Sequence, residues 1–166
     1  MKNSIANQAI NDCNDELVKI QGQIEQLGST NIISGFLTRY SLIKVCGTME
    51  VCYKTIIADF YENSAPLLGA FISYHLRDSS MNAKYENICK ALCMFDRHKE
   101  KLFKEKISIL PEKDKVMQAL SDLNSSRNTF AHRGLFSMSF NDLYDKFKDG
   151  VRILEVLDSI LCEESS

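Results

Sequence analysis

The feature that most constrains the fold is a run of apolar residues near the N-terminus, spaced by alternating steps of four and three. These residues are Ala6, Ile10, Cys13, Leu17, Ile20, Ile24 and Leu27. This spacing keeps all the apolar side chains on one side of an α-helix, so it predicts a helix from about Ser4 to Leu27. We expect this helix to dock antiparallel along a helical bundle. The alternative is a coiled-coil contact with another subunit, which would make the chain a dimerisation or scaffolding protein.

Few residues interrupt the helical pattern in the rest of the chain. Only two prolines and seven glycines occur among the 166 residues, which favours helices over a turn-rich β fold. The further predicted helices span roughly 33–63, 66–77, 83–94, 112–134 and 139–161. Ser139 with Asp142 predicts the cap that begins the last helix, and Gly134 is a suitable residue to follow the penultimate one. We therefore predict an all-α bundle of about five to six helices, in a single domain over residues 1–166.

Several positions within these helices receive a more specific interpretation. The apolar side of the second predicted helix consists of Leu37, Tyr40, Ile43, Met49, Ile56 and Phe60. Glu50 and Lys54 are four residues apart on the same helix, which is typical of an ion pair on a solvated surface. Charges of both signs also crowd residues 96–106, and we interpret this stretch as a solvated helix face rather than an RNA-binding stripe.

The charge and the apolar pattern limit the possible partners. The net charge of −2 excludes a strongly basic nucleic-acid-binding chain, so any contact with RNA must be a local patch. The N-terminus lacks the apolar core of a signal peptide, and no apolar run reaches the length that spans a membrane. We expect a cytoplasmic protein that makes no membrane contact.

The cysteines do not indicate a metal site. Six are scattered through mostly apolar contexts, and none forms a C-x-x-C pair. We interpret them as free buried thiols in a reducing compartment. Fingerprints for phosphate-binding loops or dinucleotides are also missing, so we expect neither a metal nor a cofactor.

The strongest candidate for chemistry is a polar segment at the end of the penultimate predicted helix. It reads Arg127-Asn128-Thr129-Phe130-Ala131-His132-Arg133-Gly134. Arginine can hold a phosphate through a planar fork of donors, and histidine moves protons near neutral pH. Asn128 and His132 share a helix face, while Arg127 is about 140° round the axis and reaches that face only through its long side chain. The plainer alternative is that the cations simply favour the negative end of the helix dipole.

This segment resembles the R-x(4–6)-H signature of the HEPN superfamily, and the polar Asn128 directly after the arginine fits that family's preference. The architecture is also similar, since the motif ends a late helix and one more amphipathic helix completes the chain. The resemblance implies a metal-independent endoribonuclease that acts as a homodimer, of the toxin or antiviral defence type. Two copies of the motif helix would meet across a two-fold axis and form one composite cleft.

The resemblance also implies a role for each residue. The RNA 2′-hydroxyl attacks the adjacent phosphorus, and the products carry a 2′,3′-cyclic phosphate and a 5′-hydroxyl. His132 acts as general base or acid, Arg127 stabilises the charge on the phosphoryl oxygens, and Asn128 orients His132 or binds a phosphate oxygen. Arg133 helps to bind the RNA backbone. DNA lacks the 2′-hydroxyl and should resist cleavage.

One position departs from part of the family. Some HEPN toxins carry, two residues after the histidine, a tyrosine that a nucleotidyltransferase antitoxin modifies, whereas this chain has Gly134 there. A different regulatory or antitoxin protein remains possible as a partner. The alternative within the superfamily is a noncatalytic module that binds RNA or a nucleotide with the same residues, or a module that binds another protein.

Overall fold

The computed structural model describes residues 1–132 and 137–162, apart from the side chains of Ser64 and Pro66. The α-helices are α1 (Ser4–Leu27), α2 (Ile32–Ser64), α3 (Gly69–Ile72), α4 (Tyr85–Phe95), α5 (Arg97–Ser108), α6 (Lys113–Ala131) and α7 (Phe140–Cys162). No strand occurs in the described ranges, and no helix there is both long and apolar enough to cross a membrane. The prediction of an all-α bundle is confirmed.

Helices α1 and α2 form an antiparallel hairpin. The Asn3 side chain caps α1 by accepting a hydrogen bond from the Ala6 backbone N–H at 2.9 Å. At the far end, Gly28 adopts φ 87°, a left-handed region that suits glycine after a helix. The predicted seam is buried from Ala6 to Ile24, and only Leu27 lies partly outside it. The Cys52 thiol donates to the Ala6 carbonyl at 3.6 Å, so the seam packs within this chain as the docked helix we expected.

Helix α2 lies at the centre of the bundle, because α1, α6 and α7 all pack against it. Gly150 of α7 marks the closest approach: a Cβ there would lie 2.9 Å from the Met49 methyl and 3.0 Å from a Leu120 methyl. The apolar side predicted for α2 is wrong at Tyr40 and Ile43, which are both exposed. Three neighbours cover most of the helix and leave one stripe open, and these two residues lie on that stripe.

The predicted third helix is not continuous. A 3₁₀ turn (Pro66–Leu68), the single turn of α3 and a π-helical turn (Ser73–Arg77) replace it. Arg77 ties the last of these turns to α2 through ion pairs with Asp59 at 2.7 Å and Glu62 at 2.8 Å.

Two charged residues assigned to solvated surfaces are buried instead. Lys54 is only 6% exposed, and its ammonium donates to Glu50 at 2.8 Å and to the Ser79 carbonyl. Lys99 lies in the charged run that forms α5, and its ammonium donates to the Ile160 carbonyl at 2.7 Å. Both lysines satisfy backbone carbonyls contributed by segments distant in the chain, which no local charge pattern reveals.

The motif-bearing helix is the penultimate one, as predicted. Helix α6 ends at Ala131, with His132 as the capping residue, and Gly134 lies outside the described residues. The cap predicted for α7 is confirmed: Ser139 Oγ accepts from the Asp142 N–H at 3.1 Å and donates to the Asp142 carboxylate at 2.9 Å.

Candidate functional site

The inner face of α6 is buried along most of the helix and becomes accessible in its last turns. Its buried residues are Val116, Ala119, Leu120, Leu123 and Asn124. Arg127 continues this face one turn after Leu123, but it is only half-buried. Phe130 follows on the same side and is 37% exposed. The face of α6 that packs into the core along most of the helix is therefore accessible to solvent at the end of the helix.

Arg127 sits at the point where this face opens, close to Cys46 of α2. Burial raises the pKa of the Cys46 thiol to about 12, and the nearby charge of Arg127 acts in the opposite direction. No hydrogen bond or ion pair of the Arg127 guanidinium exists among the described residues. Its donors are therefore available for an anion approaching the end of α6.

Asn128 and His132 lie on the outer side of the same two turns, and both are exposed. The His132 backbone N–H donates to the Asn128 carbonyl at 3.0 Å, which closes the helix. Helical geometry places Asn128 between the other two, about 100° from Arg127 and 40° from His132. Within the described part of the chain, no hydrogen bond joins the side chains of these three residues. Arg133, the predicted RNA contact, lies outside the described residues.

The register between α2 and α6 brings a further cation to this end of the bundle. The Cys46 thiol donates to the Leu123 carbonyl at 3.5 Å, and Met49 and Leu120 meet at Gly150, so the two helices run antiparallel. Arg39 is seven residues before Cys46 and therefore lies on the same side of α2. Sequence reasoning did not select Arg39, because only the pairing of α2 with α6 places it near the motif.

An exposed apolar stripe runs along the free side of α2. It consists of Ile32, Ile33, Phe36, Tyr40, Ile43 and Val51, and we call it the α2 stripe. Its two aromatic residues lie between aliphatic ones, and the stripe extends over about five helical turns without a charged residue at its positions. An apolar surface of this extent is typical of a protein interface.

Other polar clusters do not form a comparable site. A groove of about 510 Å³ between α4 and α5 is lined by residues that include Cys89, Cys93 and Glu100. Burial raises the pKa of the Cys89 thiol, which makes it a poor nucleophile. No group of three metal-ligating side chains occurs among the described residues. His75 stacks beside Phe71, with 4.2 Å between ring centroids.

Comparison with known proteins gives one positive result. A family model described as RiboL-PSP-HEPN matches residues 8–163, which is nearly the whole chain and includes all of α6 and α7 up to Cys162. No curated protein and no solved structure matches the chain significantly. The match supports an RNA-related module of the HEPN type, as the motif and the helical bundle indicated. The chain belongs to the RiboL-PSP-HEPN family of HEPN-type domains.

Proposed function

We propose that this protein is a metal-independent endoribonuclease whose active site is completed in a homodimer. The observation that carries the proposal is the position of Arg127, Asn128 and His132 in the accessible last turns of α6, within a HEPN-type domain. A guanidinium without an ion pair or hydrogen bond among the described residues and an exposed imidazole lie less than two turns apart. Such a pair is suited to binding a phosphodiester and transferring its protons.

The reaction follows from the chemistry of these side chains. His132 accepts the proton of an RNA 2′-hydroxyl while that oxygen forms a bond to the adjacent phosphorus. The bond from phosphorus to the 5′-oxygen breaks, and His132 of the partner subunit donates the proton that this oxygen takes up. Arg127 binds the phosphoryl oxygens and stabilises the additional negative charge of the transition state. Asn128 is one turn from His132, where its carboxamide orients the imidazole or binds a phosphate oxygen.

The α2 stripe is the surface we assign to the dimer. Its exposed side chains present on the order of 600 Å², most of the ~800 Å² that each partner contributes to a standard interface. Ile43 is on the edge of the stripe that faces α6, so a two-fold axis there duplicates the motif within one region. Two copies of Arg127 provide local positive charge in a chain whose net charge is −2.

The test is cleavage of tRNA and total RNA in EDTA by the unsubstituted protein, His132→Ala and the control His98→Ala. His98 is also exposed, but it lies near the start of α5. We expect His132→Ala to lower the rate by roughly 10²–10⁴ and His98→Ala to have no effect. Products of the active proteins should end in 2′,3′-cyclic phosphate and 5′-hydroxyl. Equal rates for the two variants would refute a catalytic role for His132. RNA binding without any cleavage would favour the noncatalytic module.

We further propose that this activity serves a toxin or antiviral effector in the cytoplasm, controlled by a regulatory protein. Expression in cells tests this part: the unsubstituted protein should arrest growth and His132→Ala should not. Normal growth with active, unsubstituted protein would contradict a toxin role.

A further inference from the structure

A second groove lies beside the proposed active site. It has a volume of about 220 Å³ and is bounded by the end of α1, the first turns of α2 and the residues that lead into α7. The residues that line it are Ile24, Ser29, Ser34, Gly35, Thr38, Arg39 and Ser137 to Phe140. No aspartate or glutamate is among them. Arg39 is the charged residue among the described residues that line the groove.

Arg39 is held in place without using its hydrogen-bond donors. Its guanidinium lies over the Phe36 ring, 5.8 Å from the centroid, which is within the range of a cation–π contact. It forms no ion pair or hydrogen bond with any other described residue. The donor edge of the guanidinium is therefore open to a ligand, and a guanidinium fork matches the oxygens of a phosphate.

The hydroxyl groups of the groove fall into two sets. Ser34 and Thr38 donate to the carbonyls of Gly28 and Ser34, both at 2.8 Å, and Ser139 donates to Asp142. The hydroxyls of Ser29 and Ser137 have no partner among the described residues, and both residues are exposed. Together with Arg39 they supply the uncommitted donors of this groove. The carboxylate of Asp142 is bound by Ser139 and does not line the groove.

The register of the helices places this groove next to the motif. Helices α2 and α6 run antiparallel, and Cys46 contacts Leu123. Arg39 and Phe130 are each seven residues from this contact, so they lie level with each other about 10 Å along the helix axes from it. Arg127 is about 6 Å from the same contact and comes level with the turn of α2 that follows Arg39, so the two arginines differ by roughly 4–5 Å along the axis. The axes of packed helices are about 8–10 Å apart, so two long side chains from α2 and α6 can reach neighbouring phosphates of one RNA strand.

We propose that Arg39, with the hydroxyls of Ser29 and Ser137, forms a subsite for an RNA phosphate adjacent to the scissile one. The inference rests on the proposed ribonuclease function and extends it. Arg127 and His132 act on the phosphate that is cleaved, whereas Arg39 binds a neighbouring phosphate and sets the position of the strand. A substrate with a single phosphodiester cannot use this subsite.

Substrate length provides the test. Arg39→Ala should lower kcat/KM about 10- to 100-fold on a pentanucleotide, the usual effect of losing a hydrogen bond to a charged group. It should leave kcat/KM unchanged on a dinucleotide that has one phosphodiester. A pentanucleotide that carries a neutral methylphosphonate next to the scissile phosphate should be a poorer substrate. The unsubstituted protein should cleave it with a kcat/KM as low as that of Arg39→Ala on the ordinary pentanucleotide. The matched control is Arg97→Ala, because Arg97 is an exposed arginine at the start of α5, away from the groove. Equal losses on both substrate lengths would overturn the subsite.

Binding to a 2′-O-methyl pentanucleotide, which cannot be cleaved, separates failure of the subsite from failure of the proposed function. We expect Arg39→Ala to weaken this binding about 10-fold or more and to reduce the salt dependence by roughly one counterion. Arg39→Lys keeps the positive charge but loses the planar fork of donors. Its affinity for this oligonucleotide should lie between those of the unsubstituted protein and Arg39→Ala. This conservative variant also controls for misfolding of Arg39→Ala. If Arg39→Ala binds more weakly than the unsubstituted protein, but the unsubstituted protein does not cleave RNA, the subsite is supported and the catalytic function is rejected. Unchanged binding by Arg39→Ala, or no binding by the unsubstituted protein, would reject the subsite.

Discussion

The Cys46 thiol on α2 donates a hydrogen bond to the carbonyl oxygen of Leu123 on α6, over 3.5 Å. Both residues are buried, and Leu123 lies one turn before Arg127. This contact joins the central helix of the bundle to the turns that carry the proposed catalytic residues. The same contact fixes the register of the two helices, which places Arg39 beside the end of α6.

Cys46 should be almost unreactive in the native protein. Because burial raises the pKa of its thiol to about 12, roughly one molecule in 10⁴ holds the thiolate at pH 8. We expect iodoacetamide to modify Cys46 only after unfolding in urea, as measured by mass spectrometry of the peptides. Cys93 is half-buried and should react faster in the folded state. Rapid native modification of Cys46 would mean that α6 separates readily from α2.

Lys54→Met should destabilise the fold by about 2–3 kcal/mol, because it leaves Glu50 and the Ser79 carbonyl without their buried donor. Urea unfolding measures this change. Lys148→Ala removes a cation from an exposed pair with Asp145 and should cost less than about 1 kcal/mol. Similar losses for the two variants would contradict the burial of Lys54.

Alanine should have opposite effects at two helical glycines. Gly22 is inside α1, and no neighbouring segment lies within 4 Å of the position that a methyl group would take, so Gly22→Ala should stabilise the protein by about 1 kcal/mol. At Gly150 the added methyl would press on Met49 and Leu120, and overpacking should outweigh the helical gain by about 1 kcal/mol. Thermal or urea unfolding of both variants checks this. Equal stabilisation at both sites would show that α2, α6 and α7 have room to adjust.

Ile43→Glu should break the proposed dimer and abolish cleavage, because a carboxylate cannot be buried at an apolar interface without a partner. Val18→Glu is the matched control: Val18 is 49% exposed on α1 and Ile43 is 44% exposed on α2. Sedimentation velocity should give a monomer for the first variant and a dimer for the second. A dimer that persists in Ile43→Glu and in Phe36→Glu would place the interface elsewhere.

Local patterns predicted the local structure well. The seam from Ala6 to Ile24 and the Ser139–Asp142 cap both depend on residues within a few positions of one another, so helical periodicity and capping preferences determine them. The interrupted segment around α3 was missed. Ion pairs of Arg77 with Asp59 and Glu62 tie it to α2, and these partners are distant in the chain.

The sequence by itself determined the all-α class, the position of the motif at the end of the penultimate helix, and membership of the HEPN superfamily. Each depends on residue types at short, regular spacings. The roles of Arg127, Asn128 and His132 stay predictions. Only the tertiary structure decided that Lys54 is buried, that Ile43 is exposed and that Arg39 lies beside the motif. The reason is physical: these outcomes depend on which faces of α2 are covered and on the register of its neighbours, and both are properties of the packed bundle.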